Sequence, residues 1–217
     1  DAGHVRIYEN NNGTWTQIGS DIDGESSSDY FGWSVSLSGD GSVVAIGAQR
    51  DDDAAYDAGH VRIYENNNGT WTQIGSDIDG EYNSDFSGSA VSLSGDGSVV
   101  AIGAYYNDGG GGNSGHVRLY KNNNGTWTQI GSDIDGESSS DQSGWSVSLS
   151  NDGSAVAIGA PYNNGNGTRS GHVRVYEDIG RKTLSFTTLD NVAPTLSSST
   201  PEAVSYTHLR AHETKSY

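Results

Sequence analysis

The sequence predicts an all-β protein, an arc of about three and a half β-propeller blades with four antiparallel strands in each blade. A unit of 56 residues repeats without drift, because the letters Gly-His-Val-Arg begin at Gly3, Gly59, Gly115 and Gly171. Apolar and polar residues alternate within each unit, and no stretch shows the 3.6-residue period of a helix. Repeats of about 40–50 residues with four strands each are typical of propeller blades, whereas the rungs of a β-solenoid, the second choice, are usually much shorter.

The four strands of each unit are named A to D in chain order. In the first complete unit, strand A is predicted over residues 32–38, strand B over 42–48 and strand C over 60–66. Strand D follows the Asn-Gly pair at residues 68–69, and the same pair recurs in other units. Asn-Gly between two alternating runs predicts a two-residue hairpin, because a type I′ turn needs a positive φ at both central residues.

The hairpin of strands A and B determines how neighbouring blades fit together. A two-residue loop at residues 39–40 predicts that Val35 lies opposite Val44, and a three-residue loop is the alternative. In the two-residue register, Trp33 lies opposite Ile46. One face of the hairpin then carries bulky side chains and the other carries Ser, Ala and Gly, so the small face of one blade can receive the next blade.

Composition excludes several classes of function. The chain has 28 Asp and Glu against 11 Lys and Arg, a net charge of −17, which excludes a general affinity for nucleic acid or anionic membranes. No run of about 18 apolar residues is present, so we expect no membrane insertion. With no Cys, the chain has no disulfide, no Cys-based zinc site and no thiol nucleophile. The absence of Met predicts a piece of a longer protein, in which further blades come from the missing chain or from a second copy.

A family resemblance comes from two neighbouring stretches. The letters YFGWSVSLSGDGSVVAIGA at residues 30–48 are followed by GHVRIY at residues 59–64. Together they resemble the FG-GAP family of β-propeller repeats, over roughly residues 1–177. Residues 31–32 match the FG of that name and residues 159–161 match the GAP, while the other copies are degraded. The resemblance implies a seven-bladed propeller in an extracellular or cell-surface protein, often one that acts in adhesion.

The resemblance also implies a position for calcium. In the integrin α-chain version of this family, calcium binds an Asp-x-Asp-x-Asp-Gly loop between strands A and B. Here each of those turns holds a single carboxylate, at Asp40, Asp96 and Asp152. One carboxylate cannot supply the six to eight oxygen ligands that Ca²⁺ takes, so we expect no calcium at the family position.

The repeats predict a domain organisation. Residues 1–189 form the propeller repeats, with a partial blade over 1–25 and blades over 26–81, 82–137 and 138–189. Strand D of the last blade is degraded, near residues 182–188. Residues 190–204 resemble the truncated start of a bacterial immunoglobulin-like domain, and residues 205–217 form a tail of non-native appearance that we expect to be disordered.

Most carboxylates are predicted to collect on one side of the arc. Because strand direction alternates, the long B–C and D–A loops share one side and the tight A–B and C–D turns share the other. Three interpretations of the acidic long loops stay open: solvation with turn formation, calcium bound between loops, and catalysis by a carboxylate pair. No cofactor is certain, and calcium is a candidate. The candidate ligands are Asp21, Asp23, Glu25, Asp29, Asp51, Asp53, Asp57, Asp77, Asp79, Glu81, Asp85, Asn107, Asp108, Asp133, Asp135, Glu137 and Asp141.

Residues that recur at one position of every blade are predicted to be structural. Each His is expected to cap strand C through a local hydrogen bond rather than to bind a metal, and each Arg to pair with blade carboxylates. The Trp and Tyr residues are expected to pack between blades, and a sugar-stacking ladder is the alternative. In the complete blades these residues are His60, Arg62, Tyr64, Trp71, His116, Arg118, Tyr120 and Trp127.

The sequence favours a non-catalytic binding or adhesion module of a secreted or cell-surface multidomain protein. The scaffold is nearly identical between blades, whereas the B–C loops read QRDDDAAYDA, YYNDGGGGNS and PYNNGNGTRS. A specific protein or glycan partner would be distinguished at these loops, because binding residues concentrate on loops held by a rigid scaffold. Two alternatives remain, a propeller enzyme that acts on polysaccharide and a purely structural spacer.

Overall fold

The computed structural model describes residues 2–177, residue 179 and the two short strands Leu184–Phe186 and Leu196–Ser198. The chain divides into two compact units, Asp1–Gly180 and Arg181–Tyr217. Within the described residues all regular structure is β-strand, which confirms the all-β prediction. In that same part of the chain, no helix has the length and apolar character needed to cross a membrane.

The first repeat is partial and contributes four short strands. They are β1 (His4–Val5), β2 (Tyr8–Asn11), β3 (Thr14–Gln17) and β4 (Ile22–Asp23). Strand β1 pairs with β4 and β2 pairs with β3, both antiparallel.

The next two repeats each form a sheet in the order A-B-C-D. In one, the strands are β5 (Phe31–Leu37), β6 (Val43–Ala48), β7 (His60–Asn67) and β8 (Thr70–Gln73), and β9 (Ile78–Asp79) pairs with the start of β7. In the other, they are β10 (Ala90–Leu93), β11 (Val99–Ala104), β12 (His116–Asn123) and β13 (Thr126–Gln129), and β14 (Ile134–Asp135) pairs with β12. These sheets are the predicted antiparallel four-stranded blades, each with one additional short strand.

The last repeat differs from the prediction at its fourth strand. Its sheet contains β15 (Ser146–Leu149), β16 (Ala155–Ala160) and β17 (His172–Glu177). Strand β18 (Leu184–Phe186) lies in the stretch predicted as strand D, but it pairs with β19 (Leu196–Ser198) in a separate two-stranded sheet. Apart from β19, the predicted immunoglobulin-like start at 190–204 lies outside the described residues, as does the tail at 205–217.

The Asn-Gly turns between strands C and D form as predicted. Asn68 has φ of 52° and Gly69 has φ of 87°, and the copies in the neighbouring repeats have similar values. Both central residues are therefore left-handed, as a type I′ turn requires. The side chain of Asn66 adds a further bond, because its Oδ1 accepts a hydrogen bond from the Gly69 amide at 2.7 Å.

The predicted register of strands A and B is wrong by two residues. Val35 lies opposite Ile46, and Ser38 and Val43 close a loop of four residues at 39–42. The side chain of Asp40 explains the longer loop, because its Oδ1 accepts hydrogen bonds from the Ser42 amide at 2.9 Å and the Ser38 hydroxyl at 2.8 Å. An Asp that bonds its own turn in this way stabilises a loop that strand pairing alone does not favour.

The small faces of the A–B hairpins in the two complete blades receive the next blade, as predicted. A Cβ added to Gly47 would lie 2.0 Å from the carbonyl oxygen of Gly88 in the next blade, so only glycine allows this backbone approach. Ser34 Oγ donates a hydrogen bond to the same oxygen at 2.7 Å. Three buried apolar clusters fill the spaces between successive repeats, and that of the two central blades contains Ala45, Ile63 and Ile102.

Candidate functional site

The long loops form one continuous edge of the molecule. We call the loops at residues 24–30, 49–59, 80–89, 105–115, 136–145 and 161–171 the long-loop edge. Backbone hydrogen bonds join a B–C loop to the D–A loop that follows it, for example from the Ser84 amide to the Tyr56 carbonyl oxygen at 2.8 Å. The tight turns meet at the opposite edge, where the Gly39 amide donates to Gly95 at 2.8 Å. The predicted separation of long loops from tight turns is therefore confirmed.

Two of the predicted ligands, Asp21 and Asp77, each accept hydrogen bonds from an arginine and a glutamine of the same repeat. Arg6 donates two hydrogen bonds to Asp21 Oδ2, at 2.9 and 2.7 Å, and Gln17 donates to Oδ1 at 2.8 Å. The hydrogen bonds from Arg6 and then Gln17 hold the pKa of Asp21 at about 2. Asp77 has equivalent bonds from Arg62 and Gln73. These carboxylates stay ionised and already hold cationic or amide donors.

The repeated arginines connect one repeat to the next. Arg62 pairs with Asp77 of its own blade and with Glu25 of the preceding repeat. Arg118 lies 3.3 Å from Glu81 in the preceding blade and donates to the backbone oxygen of Asp79 at 2.7 Å. The prediction that these arginines pair with carboxylates is confirmed. Glu25 and Glu81 therefore contribute to contacts between repeats.

A second group of carboxylates is buried beneath the long-loop edge. Asp85 and Asp141 are 3% and 1% exposed. Oδ2 of Asp85 accepts a hydrogen bond from Nδ2 of Asn107 at 2.9 Å, and Asn163 donates to Asp141 in the same way at 2.8 Å. Each pair connects a D–A loop to the next B–C loop along the chain. The amide bonds one oxygen of a buried carboxylate, while Oδ1 of Asp141 has no hydrogen-bond partner among the described residues.

The first complete blade replaces this amide with a carboxylate. Asp51 stands at the position of Asn107 and is 3% exposed, and Asp29 at the position of Asp85 is 6% exposed. Oδ1 of Asp51 accepts a hydrogen bond from the Asp53 amide, as Oδ1 of Asn107 does from Gly109. Two buried carboxylates thus occupy the place of the Asp–Asn pair. Burial first, and then the charges of Asp51 and Asp53, raise the pKa of Asp29.

His60 lies beside this carboxylate pair. Its ring is 2% exposed, and Nδ1 lies 3.1 Å from Oδ1 of Asp51 and 4.0 Å from Oδ2 of Asp77. Neither ring nitrogen makes a hydrogen bond to any described residue, so the predicted capping of strand C by His60 is wrong. A ring nitrogen of His60 and carboxylate oxygens of Asp77 and Asp79 lie within 4.8 Å of one another.

The equivalent histidine of the next blade has a different environment. Nδ1 of His116 lies 3.8 Å from Asp133 Oδ2 and also makes no hydrogen bond within the described residues. Burial, followed by the nearby charge of Arg118, lowers the pKa of His116 to about 4. His116 is therefore neutral near pH 7, and the residue of its blade that is equivalent to Asp51 is an amide, Asn107.

The remaining predicted ligands do not converge on one centre. Ligand atoms of Glu81, His116 and Asp133 lie within 4.8 Å of one another. Glu137 pairs with Arg174 and lies 3.7 Å from His172. Asp108 closes its own loop by accepting a hydrogen bond from a backbone amide five residues later. The structure distributes the predicted ligands over repeated pockets, and the remaining exposed or partly buried positions are Asp23, Asp57 and Asp135.

The A–B turns do not fit calcium. Oδ1 of Asp40 already accepts hydrogen bonds from the Ser42 amide, the Ser42 hydroxyl and the Ser38 hydroxyl. Led by the bond from the Ser42 backbone, these donors lower the pKa of Asp40 to about 2. A carboxylate committed to its own turn, with no second acid in that turn, does not provide a calcium site.

An aromatic strip along the long-loop edge was not predicted. Phe86 stacks on Tyr105 with ring centroids 5.8 Å apart and an interplanar angle of 9°. The ring centroid of Tyr105 lies 4.8 Å from that of Trp145, and the centroid of Trp145 lies 6.0 Å from that of Tyr162. We call the following set the aromatic strip: Tyr30, Trp33, Phe86, Tyr105, Tyr106, Trp145 and Tyr162.

Two arginines complete the strip. The Arg50 guanidinium lies 5.2 Å from the ring of Tyr30 and 5.7 Å from that of Phe86, and so links the rings of two blades. Arg169 lies 5.4 Å from the ring of Tyr162 at the far end. A groove of about 500 Å³ opens there, lined by Ser140, Gln142, Tyr162, Asn164, Thr168 and Arg169. The sequence carried a partial signal for this strip, because three repeat positions hold two of its rings each: Tyr30 and Phe86, Trp33 and Trp145, and Tyr106 and Tyr162.

Comparison with known proteins supports the repeat assignment. The FG-GAP repeat family matches residues 21–64 and 133–176. The chain carries two FG-GAP repeats. The matched stretches end before the segment predicted to begin an immunoglobulin-like domain. No curated protein matched the chain.

Solved structures with a similar fold are distant in sequence. The proposed 6-phosphogluconolactonase of Bacteroides uniformis is 14% identical with a TM-score of 0.54, over 91% of this chain and 47% of that one. The periplasmic gluconolactonase of Pseudomonas aeruginosa is 14% identical with a TM-score of 0.47, over 79% of this chain and 45% of that one. The chain thus spans less than half the length of either structure. The Bacteroides structure supports the fold around the FG-GAP repeats and carries no statement about activity.

Proposed function

We propose that this FG-GAP repeat arc is a non-catalytic binding module of a secreted or cell-surface protein, and that its partner is a glycan. The aromatic strip is the observation that carries the proposal. Three of its members are substantially exposed, with Tyr30 at 45%, Trp33 at 58% and Trp145 at 47%. Exposed and half-buried rings follow one another along the long-loop edge, with Arg50 between Tyr30 and Phe86, and they expose apolar area on an otherwise acidic molecule.

The chemistry around the strip favours a sugar over other partners. The C–H face of a pyranose packs on an aromatic ring, and polar groups at the border of the ring bind the hydroxyls. The groove near Tyr162 supplies such groups, with the hydroxyls of Ser140 and Thr168 and the amides of Gln142 and Asn164. The net charge of −17 opposes binding to nucleic acid or to an acidic polysaccharide. A neutral polysaccharide fits these properties best.

The location on the cell surface or outside the cell is part of the same proposal. FG-GAP repeats, matched at residues 21–64 and 133–176, are typical of extracellular and surface proteins. A glycan-binding module has its natural targets there. The proposal also includes the parent protein as a multidomain one, in which further blades or a second copy cover the ends of the arc.

Two alternatives from the sequence are weaker on the same observations. A propeller enzyme requires an acid–base set in one blade, and the contact of Asp51 with His60 is such a set, but these side chains are 4% and 2% exposed and no substrate reaches them. A purely structural spacer offers no reason for exposed rings to align across blades. Neither alternative uses the aromatic strip.

Binding to neutral polysaccharides tests the proposal. The 217-residue chain is applied to a glycan array and to insoluble polysaccharides, and binding is compared with that of Tyr105→Ala and Trp145→Ala. We expect each variant to bind at least about tenfold more weakly, since loss of a central aromatic contact typically costs 1–2 kcal/mol or more. The matched control is Trp15→Ala, because Trp15 is 67% exposed and lies outside the strip.

Three outcomes oppose the proposal. Equal weakening by Trp15→Ala would show that exposed tryptophan, rather than the strip, controls binding. Absence of binding to any glycan would favour the spacer or a protein partner. Release of soluble sugars from a bound polysaccharide would contradict the non-catalytic assignment.

A further inference from the structure

The pocket that contains Asp51 differs from its two copies in charge but not in backbone. In all three pockets, position 51 or its equivalent accepts a hydrogen bond from the backbone amide two residues later, at 3.0 Å for Asp51, 2.7 Å for Asn107 and 2.8 Å for Asn163. The D–A loop carboxylate likewise accepts a backbone hydrogen bond in each, for example Asp29 from the Ser26 amide at 2.9 Å. The carboxylate of Asp51 is thus held in the orientation of the amides that it replaces.

This replacement removes a donor from a buried place. In the copies, Nδ2 of Asn107 or Asn163 bonds the facing Asp. Repeat equivalence places the second oxygen of Asp51 where that nitrogen stands, against Asp29. Two oxygens that both carry negative charge repel one another strongly when buried, and a cation bound at Asp51 would offset this repulsion.

The same blade adds another acid to the pocket. Asp53 stands where the later blades have Gly109 and Gly165. A Cβ added to Gly109 would lie 3.0 Å from a carboxylate oxygen of Asp135, so the equivalent Asp53 lies next to Asp79. Within the described residues, no Lys or Arg forms an ion pair with the side chains of these acids of the first complete blade. The nearby cation, Arg62, is engaged by Asp77 and Glu25.

Among the described residues, Nδ1 is unbonded in both buried histidines, His60 and His116, but a carboxylate oxygen lies 3.1 Å from Nδ1 of His60 and 3.8 Å from that of His116. The side chain of His60 is 2% exposed, and neither ring nitrogen is hydrogen-bonded to any residue in the described part of the chain. Nδ1 nevertheless lies 3.1 Å from Oδ1 of Asp51, without the alignment that a hydrogen bond needs. Nitrogen and oxygen ligands that share a metal at about 2.1 Å lie about 3.0–3.4 Å apart. The observed separation matches two ligands of one ion.

We propose that the first complete blade contains a site for a divalent transition-metal ion of the Zn²⁺ or Mn²⁺ class at His60, where Oδ1 of Asp51 lies 3.1 Å from Nδ1 and a carboxylate oxygen of Asp79 lies within 4.8 Å of a ring nitrogen. Imidazole nitrogen together with carboxylate oxygen favours these ions, whereas Ca²⁺ takes oxygen ligands only. Asp77 also has a carboxylate oxygen within 4.8 Å of a ring nitrogen of His60, but it is held by Arg62 and Gln73, so it orients the site rather than closing it. The ion would tie the B–C loop to the D–A region of its own blade.

The blade sequences supply matched variants for the test. Asp51→Asn places in the first complete blade the residue that the other two blades already have, so the backbone should tolerate it. Asp52→Asn is the control, because Asp52 is exposed and accepts a hydrogen bond from the Asp57 amide within its own loop. Asn107→Asp tests the converse, since it restores in the second complete blade the carboxylate that is absent beside His116.

Calorimetric titration of the full chain, without an affinity tag, with ZnCl₂, MnCl₂ and CaCl₂ measures the ligand directly. We expect one Zn²⁺ or Mn²⁺ per chain for the wild type and for Asp52→Asn, at least about a hundredfold weaker binding for Asp51→Asn, and a second ion for Asn107→Asp. The melting temperature of the wild type should rise with Zn²⁺, and that of Asp51→Asn should not.

Specific results would overturn the proposal. One is a titration with no heat and a melt with no rise in melting temperature for either transition metal. The others are binding of Ca²⁺ alone and an unchanged metal affinity of Asp51→Asn. An Asp51→Asn variant that is simply more stable at every metal concentration would show that the carboxylate pair holds a proton instead. His60→Gln gives a second measurement: it should abolish the visible absorption of bound Co²⁺, which a site without His60 would retain.

Discussion

The same strand position is buried in the middle of the arc and exposed at its end. Val117 in strand C of the second complete blade is 0% exposed, whereas Val173 in strand C of the last blade is 69% exposed. At the other end, Leu37 in strand A of the first complete blade is 49% exposed, and its copy Leu93 is 7% exposed. The repeated sequence presents the same apolar face each time, so the neighbouring blade decides whether that face is buried.

The largest expected difference between middle and end is at glycine. Gly103→Ala would place a Cβ 2.1 Å from the carbonyl oxygen of Gly144 in the next blade, whereas Gly159→Ala would meet only Ser146 Oγ, a side chain that can rotate. We expect Gly103→Ala to lower the free energy of unfolding by about 3 kcal/mol and Gly159→Ala by less than about 1 kcal/mol. Urea denaturation of both variants measures this, and equal losses would mean that blade contact does not control the glycine requirement.

A pH effect of intermediate size is expected at the buried middle histidine. The pKa of His116 is lowered to about 4, below the value of about 6.5 expected in the unfolded chain, so the unfolded state binds more protons between these values. The contribution of His116 is therefore intact above pH 6.5 and is lost as the pH falls toward 4, by up to about 3 kcal/mol.

Unfolding free energies of wild type and His116→Asn between pH 7.5 and 4 measure this contribution. The variant should lose less stability on acidification than the wild type. The matched variant His172→Asn, at the more open end where His172 is 25% exposed, leaves His116 in place and should follow the wild type. If the free energy of unfolding of His116→Asn falls with pH as steeply as that of the wild type, a group other than His116 causes the acid sensitivity.

The smallest expected difference is at the tryptophans of strand D. Nε1 of Trp127 donates a hydrogen bond to the carbonyl oxygen of Ile74 in the preceding blade at 2.9 Å, whereas Trp15 makes no such bond within the described residues and is 67% exposed. Trp127→Phe should lower the free energy of unfolding by about 1 kcal/mol, and Trp15→Phe should change it by less than about 0.5 kcal/mol. Thermal melts of the pair provide the measurement, and a larger effect at Trp15 would contradict the comparison.

Much of the scaffold follows from local chemistry that the sequence displays. The Asn68-Gly69 turn was predictable because few residue pairs accept two positive φ values, and Arg62 was predictable because a repeated cation in an acidic blade needs partners. Trp71 was also predicted to pack between blades, and its Nε1 donates to the Ile18 oxygen of the preceding repeat at 2.9 Å.

The errors arose where a side chain or a distant segment decided the outcome. Asp40 stabilises a four-residue loop through its own carboxylate, which strand alternation does not reveal. His60 was expected to cap strand C, but its ring nitrogens, like Nδ1 of His116, are buried without a hydrogen-bond partner among the described residues, which the repeated Gly-His pair does not reveal. The aromatic strip combines Phe86, Tyr105 and other rings from different repeat positions, so only the folded arc brings them together.

The stacking of each blade on its nearest neighbours has a consequence for how this molecule loses order. Contacts such as Ser36 Oγ with the Leu93 amide and Ser92 Oγ with the Leu149 amide join adjacent repeats. Stability in such a linear array is approximately a sum over units and their interfaces, so opening begins at the outer units and moves inward. Amide hydrogen exchange should accordingly be slowest in the strand Val99–Ala104, because its blade has a neighbouring repeat on each side.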